Sequence, residues 1–244
     1  MLLDVLLIFL FAGLPYYLYL EKRKTFSDQK ILFLTSFFVF IGIIIDLVAG
    51  QISSTPFIFL AFISSLHAFY RATKTTNFYK LLYLILFFNA PVFLMFESYA
   101  GALYALSLLT SILGIFLMAK SYDRFYGSAN YQPITGLTLV APYSGLFLTI
   151  YLTALALYPP FANSILFFNA IMEHEATLLW YLIVIVVFFG NFFIAARVMA
   201  KTVFGKPNPN VHYQDISPKQ RWQHVAIVLF LLLLSLVGLQ EIFS

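Results

Sequence analysis

Asp46, His67 and Lys80 are the acidic and basic side chains that fall within, or at the shoulder of, the long apolar runs after the first, with Arg197 counted at a helix end. An ionisable group held in lipid can relay a proton or hold a cation, and its burial is costly enough that it marks a function by default. Asp46 is only four residues from Gly50, however, and His67 only four from Arg71, so each can reach an interface by snorkelling. Neutral polar residues lie deeper. Asn89 precedes Pro91 by two residues, Asn191 follows Gly190, and Asn163, Ser164 and Asn169 flank the Pro159-Pro160 pair. Such amides and hydroxyls either tie helices together or line a wet cavity. Helix packing and a truncated polar pathway are therefore the two readings of this set.

Other chemistries find no residues. Glu173, His174 and Glu175 are consecutive, which on a helix fans them about 100° apart instead of onto one metal-binding face. His174, His212 and His224 fall in connections, so the facing histidines that a b-type haem needs are not expected. The chain has no cysteine, which removes thiolate metal sites and cysteine nucleophiles. No Ser/His/Asp grouping and no phosphate-binding glycine loop is present. The sequence predicts no catalytic residue, no metal site and no bound cofactor.

The elements that position these residues are membrane helices. Of 244 residues, 62% are apolar and only 10% charged, against about 25% charged in soluble domains. The net charge of +4 sits in short loops between apolar runs, where membrane topology accounts for it and nucleic-acid binding does not. The hydropathy predicts an all-α bundle with about eight crossings, at Leu2–Leu20, Ile31–Gly50, Pro56–Tyr70, Phe78–Phe96, Ala102–Ala119, Leu137–Met172, Ala176–Ala200 and Val225–Glu241. The whole chain reads as one integral membrane domain, with two leading helices in 1–50 and the remainder in 56–244. The first run carries Asp4 where a secretory signal would be basic, and is expected to stay as a helix.

Basic residues occupy every second connection: Lys22 to Lys30, Arg71 to Lys80, Lys120 to Arg124, and Arg197 to Arg221. The intervening connections hold Gln51–Thr55, Glu97–Gly101 and Glu173–Glu175. By the positive-inside rule the basic set is cytoplasmic, which puts both termini on the other side, in the expected setting of a bacterial inner membrane. This parity makes Leu137–Met172 one crossing, interrupted near Pro159 and Pro160, since proline removes an N–H and clashes with the preceding turn. Backbone freed from a helix at membrane depth must be covered by protein or water.

Four segments in order then resemble a family. They are Ala119-Lys120-Ser121-Tyr122-Asp123-Arg124, Thr135-Gly136-Leu137, Ala156-Leu157-Tyr158-Pro159-Pro160-Phe161 and Ala200-Lys201-Thr202-Val203-Phe204-Gly205-Lys206-Pro207. They are similar to a helix tail, the start and break of the discontinuous helix, and the Phe-Gly-Lys end of the penultimate helix in antiporter-like membrane subunits. That family is shared by respiratory complex I, Mrp-type cation/proton antiporters, membrane-bound hydrogenases and some inorganic-carbon uptake systems. A fainter likeness places Thr75 to Leu82 on the family's acidic-x-Lys-x-Leu-Leu helix start. Family members have about fourteen helices with two inverted repeats, so eight spans leave room for about one repeat.

The departures are as telling as the likeness. Where the family places a buried lysine or glutamate after the break, this chain aligns Phe167; a family histidine aligns with Ser107, and the helix-start lysine with Tyr79, beside Lys80. The resemblance implies an integral subunit of a proton- or cation-translocating energy-coupling complex, packed beside other membrane subunits such as an antiporter-like homologue and sealing or positioning its pathway. Its alternatives are an ion-conducting subunit that uses Asp46, His67, Lys80, Asn89, Asn163 and Asn191, an accessory subunit of an inorganic-carbon uptake complex, and an unrelated carrier.

Overall fold

Proline and glycine punctuate the apolar runs, and the elements follow them. The structure, a computed structural model, describes residues 2–23, 25–49, 53–96, 98–173 and 177–243. Gln51, Glu97, His174 and Glu175, which the sequence places in basic-poor connections, lie outside the described residues. The helices are α1 (Leu2–Leu10), α2 (Tyr17–Lys22), α3 (Asp28–Ala49), α4 (Thr55–Lys74), α5 (Phe78–Met95), α6 (Ser98–Tyr126), α7 (Leu137–Val140), α8 (Pro142–Leu155), α9 (Ala162–Glu173), α10 (Leu178–Thr202) and α11 (Pro218–Phe243). Among the described residues there is no strand, only an isolated bridge between Asn77 and Asn130.

Five of these helices are long and apolar enough to cross a membrane: Asp28–Ala49, Phe78–Met95, Tyr99–Tyr126, Leu178–Thr202 and Pro218–Gln240. Their outer faces carry large apolar side chains such as Phe33, Val48, Phe189 and Leu233, all exposed, as expected where lipid is the solvent. The central helix is α5, whose apolar residues run all round it and are buried throughout. The other three expected crossings are not long apolar helices. Thr55–Lys74 is diluted by Ser64, Ser65, His67 and Arg71, while Leu2–Leu20 and Leu137–Met172 are interrupted.

The sequence predicts one interruption; besides it the structure has a break after α1 and a one-residue break at Ala141 between α7 and α8. After α1, Gly13 N–H bonds to Ile8 C=O (2.7 Å) and Ala12 N–H to Phe9 C=O (3.2 Å), with Ala12 at φ 59°. After α8, Tyr158 N–H bonds to Thr153 C=O (3.2 Å) and Leu157 N–H to Ala154 C=O (3.1 Å), with Leu157 at φ 58°. Both are Schellman closures, each followed within two or three residues of the left-handed position by proline, which cannot continue a helix. Pro15 ends the first run as Pro159 and Pro160 end the second, so the expected continuous helix over Leu2–Leu20 does not form.

Along α6 the neighbours succeed one another. Ser121 meets Gln220 of α11 (3.1 Å), Gly114 meets the Tyr151 ring of α8, Ser107 meets Asn163 at the start of α9 (3.4 Å), and Tyr104 meets the Phe167 ring (6.2 Å between centroids). The two halves α8 and α9 thus lie one after the other along a single helix. A Cβ on Gly114 would stand 2.4 Å from Tyr151 Cζ, so only glycine lets α6 and α8 approach this closely.

The basic connections gather at one end and are tied there. Arg197 donates to the carbonyls of Ala72 (2.9 Å), Thr73 (2.8 Å) and Thr75 (3.0 Å) and to Tyr131 OH (2.8 Å), closing the free C-terminal carbonyls of α4 with a cation. Asp215 accepts from the N–H groups of Tyr143 (3.1 Å) and Ser144 (2.9 Å) at the start of α8. Gly136, at φ 69°, lies against Gly205 and Pro207, and Thr135 Oγ1 donates to Lys206 C=O (2.7 Å), so two of the singled-out segments meet.

Helix α11 begins earlier than hydropathy indicates. Pro218 is its first residue, and Ser217 with Gln220 forms a capping box: Ser217 N–H bonds to Gln220 Oε1 (2.9 Å) and Gln220 N–H to Ser217 Oγ (3.4 Å). His224 is therefore inside a helix and buried, not in a connection as the sequence suggests. Lys120 to Arg124 likewise belong to the last turns of α6.

Candidate functional site

The deepest polar cluster joins α5, α6 and α10. Asn89 and Asn191 form a reciprocal amide pair, with Asn89 Nδ2 donating to Asn191 Oδ1 (3.1 Å) and Asn191 Nδ2 donating to Asn89 Oδ1 (2.8 Å). Tyr104 OH also donates to Asn89 Oδ1 (2.8 Å), and Asn89 Nδ2 also donates to Ile85 C=O (2.9 Å). All three side chains are buried. The Asn89 amide has two donors and two acceptor sites, and all four are used within the protein. It has none left for an ion or a water. Replacing Asn89 and Asn191 by leucine, singly and together, is expected to give a coupling of about 1 to 2 kcal/mol in a double-mutant cycle read by thermal melts in detergent. Strict additivity would refute the pairing.

The break between α8 and α9 is stitched by Asn163. Its Nδ2 donates to Ala154 C=O (2.6 Å), a carbonyl in the last turn of α8, and its backbone N–H approaches Ser107 Oγ (3.4 Å). Ser164 Oγ donates to Phe161 C=O (2.7 Å). Side chains of α9 thus bond to carbonyls on both sides of the break, while Tyr158, Pro159 and Pro160 between them are exposed. Pro159 and Pro160 occupy the loop between the helices, joined by a cis peptide. One turn beyond, Phe167 is fully buried, with Phe96, Tyr104 and Phe188 rings at 6.1, 6.2 and 6.2 Å. The interior just past the break is packed with aromatic rings.

Charge collects at the basic end. Glu21 accepts from Arg71 (2.6 Å), Lys80 (3.0 Å) and Tyr83 OH (2.5 Å), and Tyr83 OH lies 3.4 Å from Asp28. Burial works against the Glu21 carboxylate, but the bonds from Arg71, Tyr83 and Lys80 prevail and hold its pKa below the ordinary glutamate value. Lys80 therefore has a partner that the sequence does not single out, since Glu21 follows the first apolar run and its cations come 50 and 59 positions later. His67 is exposed on α4 and stacks loosely on Tyr17 (6.5 Å, 18°).

Asp46 stands apart. It is buried in α3 with Oδ2 unpartnered among the described residues, roughly 27 Å along the helix from Asp28 at 1.5 Å per residue. On the buried face between them, Ile31, Leu32, Val39, Gly42 and Ile43 leave Thr35 as the sole polar side chain. Asp46, His67 and Lys80 do not form one relay. Among the described residues no three His, Asp or Glu side chains group as a metal site. No protein-family profile matches the chain, and no curated protein does.

Proposed function

We propose that the protein is an integral membrane subunit of a multisubunit, ion-translocating energy-coupling complex, in which it packs and seals instead of conducting. The observation that carries this reading is the burial of Phe167 among Phe96, Tyr104 and Phe188, just past a broken helix. An aromatic ring can neither take a proton nor replace an ion's water, and the amides nearby are engaged with one another. The resemblance in the sequence to antiporter-like subunits supplies the class of complex; the filled interior supplies the sealing role.

In this reading the chain crosses eight times, with the interrupted runs Leu2–Leu20 and Leu137–Met172 and the helix Thr55–Lys74 added to the five long apolar helices. The succession of α8 and α9 along α6 supports a single crossing for Leu137–Met172. The basic end faces the cytoplasm of a bacterial cell, leaving both termini outside. A conducting role has one observation in its favour, the unpartnered Asp46 oxygen, but no ionisable step joins it to Lys80.

The reading predicts that solubilising the native membrane in mild detergent brings the protein out with other membrane subunits, an antiporter-like homologue among them. Recovery as a stable, transport-active monomer would contradict it.

A further inference from the structure

Two cavities share helix α6 at the basic end. The first, about 680 Å³, lies between the last turns of α6 and the first turns of α11, and its cations are Lys120, Arg124 and Lys219. Ser121, Gln220 and Gln223 add neutral polar groups, His224 is part of the lining, and Asp123 is the one carboxylate there. None of the three cations forms an ion pair among the described residues. The second cavity, about 380 Å³, is a groove between α3 and α6 lined by Phe33, Phe37, Phe40, Leu109, Leu113 and neighbours, with Ser36 its only polar residue.

The two are adjacent. Leu117 lines the first and Phe116 the second, and Leu113, which also lines the groove, is one turn from Leu117 on the same face as Lys120 and Arg124. Trp222, 74% exposed near the start of α11, is a residue type that settles at the headgroup level of a bilayer. A basic, polar hollow thus opens beside an apolar trough on the outside of the bundle.

We infer that this is a binding site for an anionic phospholipid, with the phosphate among Lys120, Arg124 and Lys219 and an acyl chain in the α3/α6 groove. Charge complementarity selects a phosphate, since three cations face one carboxylate. The groove selects a lipid over a free phosphate, because a small anion leaves the apolar trough unused. Basic pockets between membrane helices hold anionic headgroups by the same combination. The inference goes beyond the sealing role and requires only that the chain lies in a membrane.

The test is native mass spectrometry of the full chain from mild detergent, titrated with phosphatidylglycerol, phosphatidylcholine or inorganic phosphate. Phosphatidylglycerol is expected to bind preferentially. Each basic residue near a membrane surface contributes roughly fivefold, so K120Q/R124Q/K219Q together is expected to weaken binding by on the order of a hundredfold. Leu113→Trp, which fills the groove and keeps every charge, is expected to weaken phosphatidylglycerol binding while leaving any phosphate binding unchanged. K201Q/K206Q, basic residues of the same end outside the cavity, is expected to bind as the wild type does. Undiminished lipid binding in the triple variant, an equal loss in the Lys201/Lys206 control, or inorganic phosphate binding as tightly as phosphatidylglycerol would overturn the inference. Should the triple variant not fold, undiminished binding by Leu113→Trp would overturn it alone.

Discussion

Glu21→Ala is expected to destabilise the protein by about 3 kcal/mol, the lower end of the range for breaking a buried ion pair. The carboxylate binds Arg71 and Lys80 at once and receives the Tyr83 hydroxyl, so its loss strands two cations and leaves the buried phenol only the longer contact to Asp28. Solvent reaches the Glu21 side chain to 17% and Arg71 to 23%, which keeps the effect from the upper end of that range. Three segments would loosen together, because Glu21 belongs to α2, Arg71 to α4 and Lys80 to α5. Thermal melts in detergent measure this directly, and a shift no larger than that of Lys201→Ala would show that the cluster does not hold these segments.

The same carboxylate sets an acid dependence. Its pKa is lowered in the folded protein from the ordinary 4.5, so its stabilising contribution is complete above about pH 4.5 and is lost as the pH falls through the folded value. The advantage of wild type over Glu21→Gln should therefore shrink on acidification below that point. An advantage that stays constant down to the lower limit of folding would place the stabilisation elsewhere.

What the sequence discloses is mostly one-dimensional. Long apolar runs announce α3, α5, α6 and α10, and the Pro159-Pro160 pair announces the break between α8 and α9. The break after α1 carries similar signals, Gly13 and Pro15, yet unbroken hydropathy across Leu2–Leu20 hides it, and the residue in the left-handed position is Ala12 instead of glycine. The early start of α11 is legible in Ser217-Pro218-Lys219-Gln220, a capping box with proline at its first helical position, although its polar residues depress the hydropathy. Pairings are another matter. Asn89 and Asn191 stand out singly by type, but nothing local says that residues 102 positions apart share hydrogen bonds. Arg197 and Glu21 look like ordinary interfacial charges until the fold brings α4 to both of them.

The larger functional expectation is that the protein alone carries no ion flux. Phe167 fills the interior beyond the broken helix with an aromatic ring, and Asp46 and Lys80 occupy opposite ends of an apolar stretch comparable to the hydrocarbon thickness of about 30 Å. On the proposed subunit role, changing Lys80 to alanine should disturb the Glu21 cluster and assembly more than the turnover of the parent complex. The direct measurement is proton flux in liposomes reconstituted with the purified chain under an imposed pH gradient. The sealing role predicts dissipation no faster than in empty vesicles. Robust flux that is abolished by Asp46→Asn or Lys80→Gln, while assembly stays normal, would contradict it.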